Sequence, residues 1–325
     1  MEDFVPATVI DVHTHLAPLL SRDAVDEVDG VDTDDDGRLV IDGTRVAAPG
    51  LYDPARLAGL LAAHSIDRAW VSAPPPMYRQ GLDAAATESW VHVLDAGMRA
   101  RIGDDQSLGL LSYLPLDQPG VAHSLVGALA ASSDVVGWAA SAGGGSLPLD
   151  HASLEPLWMA LEKAGKPLVL HPGESPDRRL KHYYLSNLLG NPVETAVAAG
   201  QLILGGVLSR HPRLKVVLVH CGGVLPAVVG RWTRGVATAR PGIPSGTGNP
   251  QEMVRTLWTD TLAHSPAVVD LALAVFGADR LVLGSDYPFP MGVDDPFESI
   301  RHLDPDVRSM IGRNAAALLD EGTDL

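Results

Sequence analysis

The chain has 325 residues, 40 of them acidic against 24 basic, with a formal charge of −16 that leaves no net-basic surface for nucleic acid. Hydrophobic content of 46% with 20% charged residues excludes a disordered chain. The single cysteine, Cys221, excludes a disulfide framework and a cysteine-rich zinc cage. The opening residues MEDFVPATVID lack the basic start and apolar stretch of a signal peptide, and no run reaches the roughly 18 apolar residues of a spanning helix. The expectation is a cytoplasmic protein with no membrane partner.

The first strand-like run, ATVIDVHTHL, carries His13 and His15 near its end. A strand sends residues i and i+2 to one face, so both imidazoles point the same way. That is half of a metal site or a coincidence, since an H-x-H in a chain with 12 histidines is a weak signal. Residues 22–44 follow as a polar insertion before the first helix. Asp32, Asp34, Asp36 and Gly37 mimic the opening of a calcium loop, but Gly43 stands where such a loop needs a bidentate Glu. The insertion reads as a solvated acidic hairpin placed over one end of the fold.

The first helix is announced by Asp53-Pro54 ahead of ARLAGLLAAH, a capping side chain followed by Pro at the first helical position. The strand-like runs then continue as DRAWVSAPP, QSLGLLSYLPL, VVGWAAS, PLVLHPG, LKVVLVHCGG, TLWTDTL and DRLVLGSD. Between them lie the helical stretches LDAAATESWVHVLDAGMRARI, HASLEPLWMALEKAG, NPVETAVAAGQLILGGVLS and SPAVVDLALAVFG, and DVRSMIGRNAAALL closes the series. Eight strands alternating with helices, several of them continuously apolar, predict a parallel sheet closed into a (β/α)8 TIM barrel. No linker-like composition divides the chain, so residues 1–325 are read as a single domain.

Barrel chemistry sits at the C-terminal strand ends. Read there, the first strand offers His13 and His15, the fifth His171, the sixth His220 and the eighth Asp286. Imidazole and carboxylate donors without thiolate suit one divalent ion, zinc above others, with a position left for water. His13, His15, His171 and Asp286 form the expected ligand set, and His220 is the expected base beside it. A second ion would need a bridging group such as a modified lysine on the fourth strand, and VVGWAAS has none. His64, His92, His123, His151, His182, His211, His264 and His302 fall mostly in helices or loops and are read as surface or structural.

These residues resemble the amidohydrolase superfamily, in the metal-dependent decarboxylase branch typified by aminocarboxymuconate-semialdehyde decarboxylases. The likeness rests on IDVHTHLAP, LYDPARL, LVLHPG, the long run NPVETAVAAGQLILGGVLSRHPRLKVVLVHCGGVLPAVVGR, LVLGSDYPFPMG and GRNAAALL. It implies zinc on His13, His15, His171 and Asp286, with His220 as acid/base residue and Asp286 sharing in catalysis. It also implies that Arg45 and Arg231 bind a small carboxylate substrate, Arg231 reaching the active site of the neighbouring subunit in a homodimer. The bidentate guanidinium fork suits that task, although each arginine also reads as a surface or capping residue.

Two positions depart from the pattern. Cys221 follows His220 where the family has Gly, and reads as a small buried core residue. Asn187 in YYLSNLL stands where the family has a bulky aromatic, which implies a reshaped pocket. The fourth-strand loop SAGGGSLP offers no anchoring side chain. The resulting expectation is non-oxidative decarboxylation of a small unsaturated or aromatic acid. Metal-assisted hydrolysis or hydration of an amide, lactone or C–C bond is the alternative, and a metal-stabilised barrel without turnover is a third reading.

Overall fold

Strand β1 (Ile10–His15) is buried along its whole length. A strand covered on both faces must be apolar or internally partnered throughout, which marks it as part of a closed parallel ring. Three short strands follow, β2 (Val31–Thr33), β3 (Leu39–Ile41) and β4 (Thr44–Arg45), and they pair only with one another. The ring resumes with β5 (Arg68–Ser72), β6 (Leu108–Tyr113), β7 (Val135–Ser141) and β8 (Leu168–His171). It ends with β9 (Val216–Leu218), β10 (Trp258–Asp260) and β11 (Leu281–Val282), every neighbour parallel. This computed structural model describes residues 8–26, 28–143, 147–173 and 175–319.

Hydrogen bonds close the ring. Val12 donates to the Leu283 carbonyl at 2.9 Å, Asp286 to that of His13 at 2.8 Å, and His15 to that of Tyr287 at 2.7 Å. A helix of nine or more residues follows each barrel strand: Pro54–Ala63, Ala84–Ile102, Pro119–Leu129, Glu155–Ala164, Asn191–Leu204, Leu225–Ala237, Pro266–Phe276 and Pro305–Arg313. The architecture is the (β/α)8 barrel the sequence predicts. Asp53 caps the first of these helices, its carboxylate accepting from the Arg56 N–H at 3.1 Å. Trp70, Trp90, Trp138 and Trp158 are fully buried in the packing around the ring. Among the described residues no helix is long and apolar enough to cross a membrane.

Several local expectations change. The Pro119–Leu129 and Leu225–Ala237 helices are not among the stretches expected from the sequence; the first buries only Ala122 and Val126, too sparse a stripe to register. The run at 191–209 is not one helix. Gly206 adopts φ +76°, and a Cβ on Gly205 would sit 2.3 Å from that of Asp150, so the chain breaks there and restarts at Val207–Arg210. The closing segment also divides, because the Asn314 amide turns to donate to the Ala278 and Leu281 carbonyls at 2.8 and 2.7 Å. Of the loop SAGGGSLP, residues 144–146 lie outside the described residues.

The insertion is more than a solvated hairpin. Its three strands form an antiparallel sheet whose Leu39 and Ile41 are buried in the main core cluster. Asp34 closes the β2–β3 turn by accepting from the Asp36 and Arg38 N–H groups, both at 3.0 Å. That use of its carboxylate is an Asx-type turn. Truncation of Leu39, which has no exposed surface, tests this packing. Leu39→Ala should lower unfolding stability by about 2–5 kcal/mol in denaturant titrations; a change under about 0.5 kcal/mol would show a solvated insertion instead.

Candidate metal centre

The first-strand histidines do project together, and both use the same ring atom for support. His13 Nδ1 lies 2.7 Å from Asp260 Oδ2, and His15 Nδ1 lies 3.0 Å from Ser72 Oγ. At the end of β8, His171 donates from Nδ1 to the Pro172 carbonyl at 2.9 Å. With Nδ1 occupied in all three rings, Nε2 is the atom left to face the barrel axis. None of the three Nε2 atoms, all buried, has a hydrogen-bond partner, and neither has Asp286 Oδ1.

These four orphaned atoms converge. Ligand atoms of His13, His15, His171 and Asp286 lie within 4.8 Å of one another. Asp286 Oδ1 is 3.4 Å from His13 Nε2, 3.2 Å from His15 Nε2 and 4.0 Å from His171 Nε2. Donors about 2.1 Å from one tetrahedral ion stand about 3.4 Å apart, so the cluster has the span of a divalent-ion site. Buried polar atoms are otherwise satisfied in folded proteins, and four unsatisfied ones aimed at one point fit an ion that completes them. The residues present therefore suit a divalent metal.

The charge balance agrees. Burial drives the imidazoles of His13 and His15 below their ordinary range, and takes His171 down to about 4. All three are neutral at pH 7 and ready to donate lone pairs. Burial alone would raise Asp286, yet the surrounding histidines, His13 foremost, hold its carboxyl well below the usual range. Asp260 is likewise held ionised, burial being outweighed by His13 and His220. Two buried carboxylates among neutral imidazoles leave a negative pocket that a dication would balance.

His220 stands beside this cluster, with Nε2 3.7 Å from Asp286 Oδ2. Burial pulls its imidazolium down, but the carboxylates of Asp286 and Asp260 outweigh burial and hold it above the ordinary value. It follows β9 by two residues, in a run of left-handed residues: φ is +56° at His220 and Cys221, +72° at Gly222 and +60° at Gly223. Such backbone is costly for residues with a Cβ. The Cys221 N–H is anchored on Asp260 Oδ1 at 2.8 Å. The Cys221 thiol is fully buried and pushed up by that burial, so it packs and offers no thiolate.

His171, His220 and Asp286 open onto a cavity of about 840 Å³, which Asn187 also lines. Arg45 and Arg231 do not line it. Arg45 sits on β4 of the insertion, largely exposed, its guanidinium 3.3 Å from Asp34 Oδ2. Arg231 is exposed on the Leu225–Ala237 helix. Two supporting residues escaped the sequence reading. Asp260 ends β10 and Ser72 ends β5, on the same rim as the ligands, so a search of strand ends for carboxylates and hydroxyls as well as histidines would have found both. Among the other histidines, His211 is buried between Glu155 and Glu162, and His302 pairs with Asp270. His264 is exposed, as expected of a loop histidine, and it also lines the cavity.

Residues 10–320 match the family described as Amidohydrolase. The chain belongs to that family. The amidohydrolase barrel is 35% identical over 178 residues to 2-amino-3-carboxymuconate-6-semialdehyde decarboxylase of Dictyostelium discoideum, covering 53% of this chain and 49% of the relative. It is 36% identical over 152 residues to 6-methylsalicylic acid decarboxylase of Penicillium expansum, covering 45% and 46%. The match thus spans about half the length of these curated relatives. In fold, the structure resembles 5-carboxyvanillate decarboxylase LigW from Sphingomonas paucimobilis, with TM-score 0.78 and 23% identity over 96% of this chain and 99% of that one.

Removing a support should weaken the site without touching a ligand. Asp260→Asn takes away the charge behind His13, and metal affinity measured by chelator competition should fall about 10–100-fold; unchanged affinity would refute the orienting role. Protonation supplies a second check. Only a neutral His171 ring could hold a metal ion, and a proton competes for that ring only as pH falls through about 4. Uptake of Zn²⁺ by metal-free protein should stay nearly level from about pH 7 to 6 and collapse toward pH 4, whereas a collapse centred near the ordinary histidine value of about 6.5 would contradict the buried geometry.

Proposed function

We propose that the protein is a metal-dependent decarboxylase that removes CO₂, without oxidation, from a small unsaturated or aromatic carboxylic acid. The observation that carries this reading is the convergence of four unpartnered ligand atoms beside His220 at the floor of the cavity. The decarboxylase names of the relatives favour it over other chemistries of the fold. His13, His15, His171 and Asp286 would hold one divalent ion, zinc by donor chemistry. A structural neighbour of 19% identity, a dihydroxybenzoic acid decarboxylase from a Polaromonas species, carries manganese together with the inhibitor 2-nitroresorcinol.

The ion would supply a Lewis acid and bring a water pKa down towards about 7. His220 handles the proton. As the bond from carbon to carboxylate breaks and CO₂ departs, the electron pair left on carbon takes a proton from the His220 imidazolium, which the Asp286 and Asp260 charges favour. Asp286 restrains His220 and balances its charge through the 3.7 Å contact. Phe289, packed against His15 with centroids 5.3 Å apart, gives the cavity an apolar wall for a planar ring. Arg231 enters this scheme from a second copy of the chain, so a homodimer is part of the proposal. Arg45 joins it by exchanging Asp34 for the substrate carboxylate.

Hydrolysis or hydration is the second reading, favoured by one observation: neither arginine lines the cavity of a single chain. A panel of aromatic and unsaturated acids, assayed for CO₂ release by metal-loaded protein, separates the two. His220→Ala should cut kcat about 10²–10⁴-fold while metal content stays at one ion per chain. Absence of release across the panel would overturn the decarboxylase reading, and full turnover by Arg231→Ala would favour a neutral substrate.

A further inference from the structure

The cavity poses a charge problem that the metal centre does not solve. All 24 lysines and arginines of the chain fall within the described residues, and none lines the cavity. Within a single chain an acid entering it therefore meets a wall without a permanent cation, over a floor that includes Asp286, with the buried carboxylate of Asp260 behind His13. Apart from His171 and His220 at that floor, the one lining side chain able to become cationic is His264.

His264 lies in the loop between β10 and the Pro266–Phe276 helix. Its backbone is held at φ +53°, the left-handed region that a residue with a Cβ adopts at a cost. The loop is tied at its start to the metal centre: the Leu262 N–H donates to Asp260 Oδ1 at 3.2 Å, and the other oxygen of that carboxylate supports His13. Among the described residues, no hydrogen bond or ion pair occupies the His264 ring. Two residues later the Pro266–Phe276 helix begins, and Val268 in its first turn also lines the cavity. The positive end of that helix dipole therefore faces the same space and favours an anion there.

We infer that His264, backed by the N-terminus of the Pro266–Phe276 helix, is a specificity-determining residue that recognises the anionic group of the ligand acid. The inference rests on the reading of the ligand as a carboxylic acid. An approaching carboxylate stabilises the imidazolium, and the resulting charge-assisted hydrogen bond discriminates an acid from a neutral molecule of the same shape. His264 does not touch the metal ligands and moves no proton in the reaction; it holds the acid in place.

The test uses metal-loaded protein and two inert probes, benzoate and benzamide, with dissociation constants measured by calorimetry. His264→Ala should weaken benzoate about tenfold and benzamide less than twofold, with one ion per chain retained. His264→Lys, which restores a cation, should recover most of the benzoate affinity. In turnover, the alanine variant should raise KM about tenfold and leave kcat within about threefold. Equal benzoate affinity in parent and alanine variant would overturn the assignment, as would parallel weakening of both probes, which signals shape and not charge. Failure of the parent to bind benzoate at all would instead sink the carboxylic-acid reading on which the inference stands.

Discussion

The energetic constraint at the centre of this molecule is the burial of ionised carboxylates. Asp286 and Asp260 are removed from water within a ring of imidazoles that burial has itself made neutral. Isolated buried charge is strongly unfavourable unless it is paired or coordinated. The barrel meets that demand geometrically. Each imidazole is fixed through Nδ1 by a different kind of partner, a carboxylate, a hydroxyl and a backbone carbonyl, and each therefore turns Nε2 inward. The ligand set is thus preorganised by contacts outside it, and Asp260 is the hub that joins His13, the turn at Cys221 and the loop leading to His264.

Much of this was legible in the sequence because strand ends are legible. The two-residue spacing of His13 and His15 states their common face, and apolar runs ending in His171, His220 and Asp286 place those side chains on one rim. Arg45 shows where such reading stops. Its position in the chain says nothing of Asp34, brought beside it by the pairing of β2, β3 and β4. Leu39 and Ile41 likewise look like short apolar interruptions of an acidic stretch until the small sheet folds them against the barrel. His264 was hidden for the opposite reason, since a histidine in a loop carries no periodic signal, and its place on the cavity lining is set only when the barrel closes.

Family membership and activity rest on different grounds. The match across residues 10–320 and the closed parallel ring establish the amidohydrolase fold. That architecture serves many reactions, so chemistry must be argued from the site. Here a metal-competent cluster, a histidine whose imidazolium the neighbouring carboxylates favour and an apolar-walled cavity stand together, a combination suited to stabilising charge that develops in a reaction.

The left-handed run at His220–Gly223 divides the rim into parts with unequal freedom to diversify. A side chain at Gly223 would lie 2.2 Å from the Pro192 carbonyl, so the segment that presents His220 tolerates almost no remodelling. The 183–189 stretch also passes through left-handed backbone, at Tyr183 and Tyr184 (φ +58° and +59°), but those two side chains are solvent-facing while Asn187 borders the cavity. Reactivity and selectivity are housed on separate pieces of chain. Under the proposed reaction, descendants of this barrel can exchange one ring substituent for another along that stretch and still inherit the same proton donor.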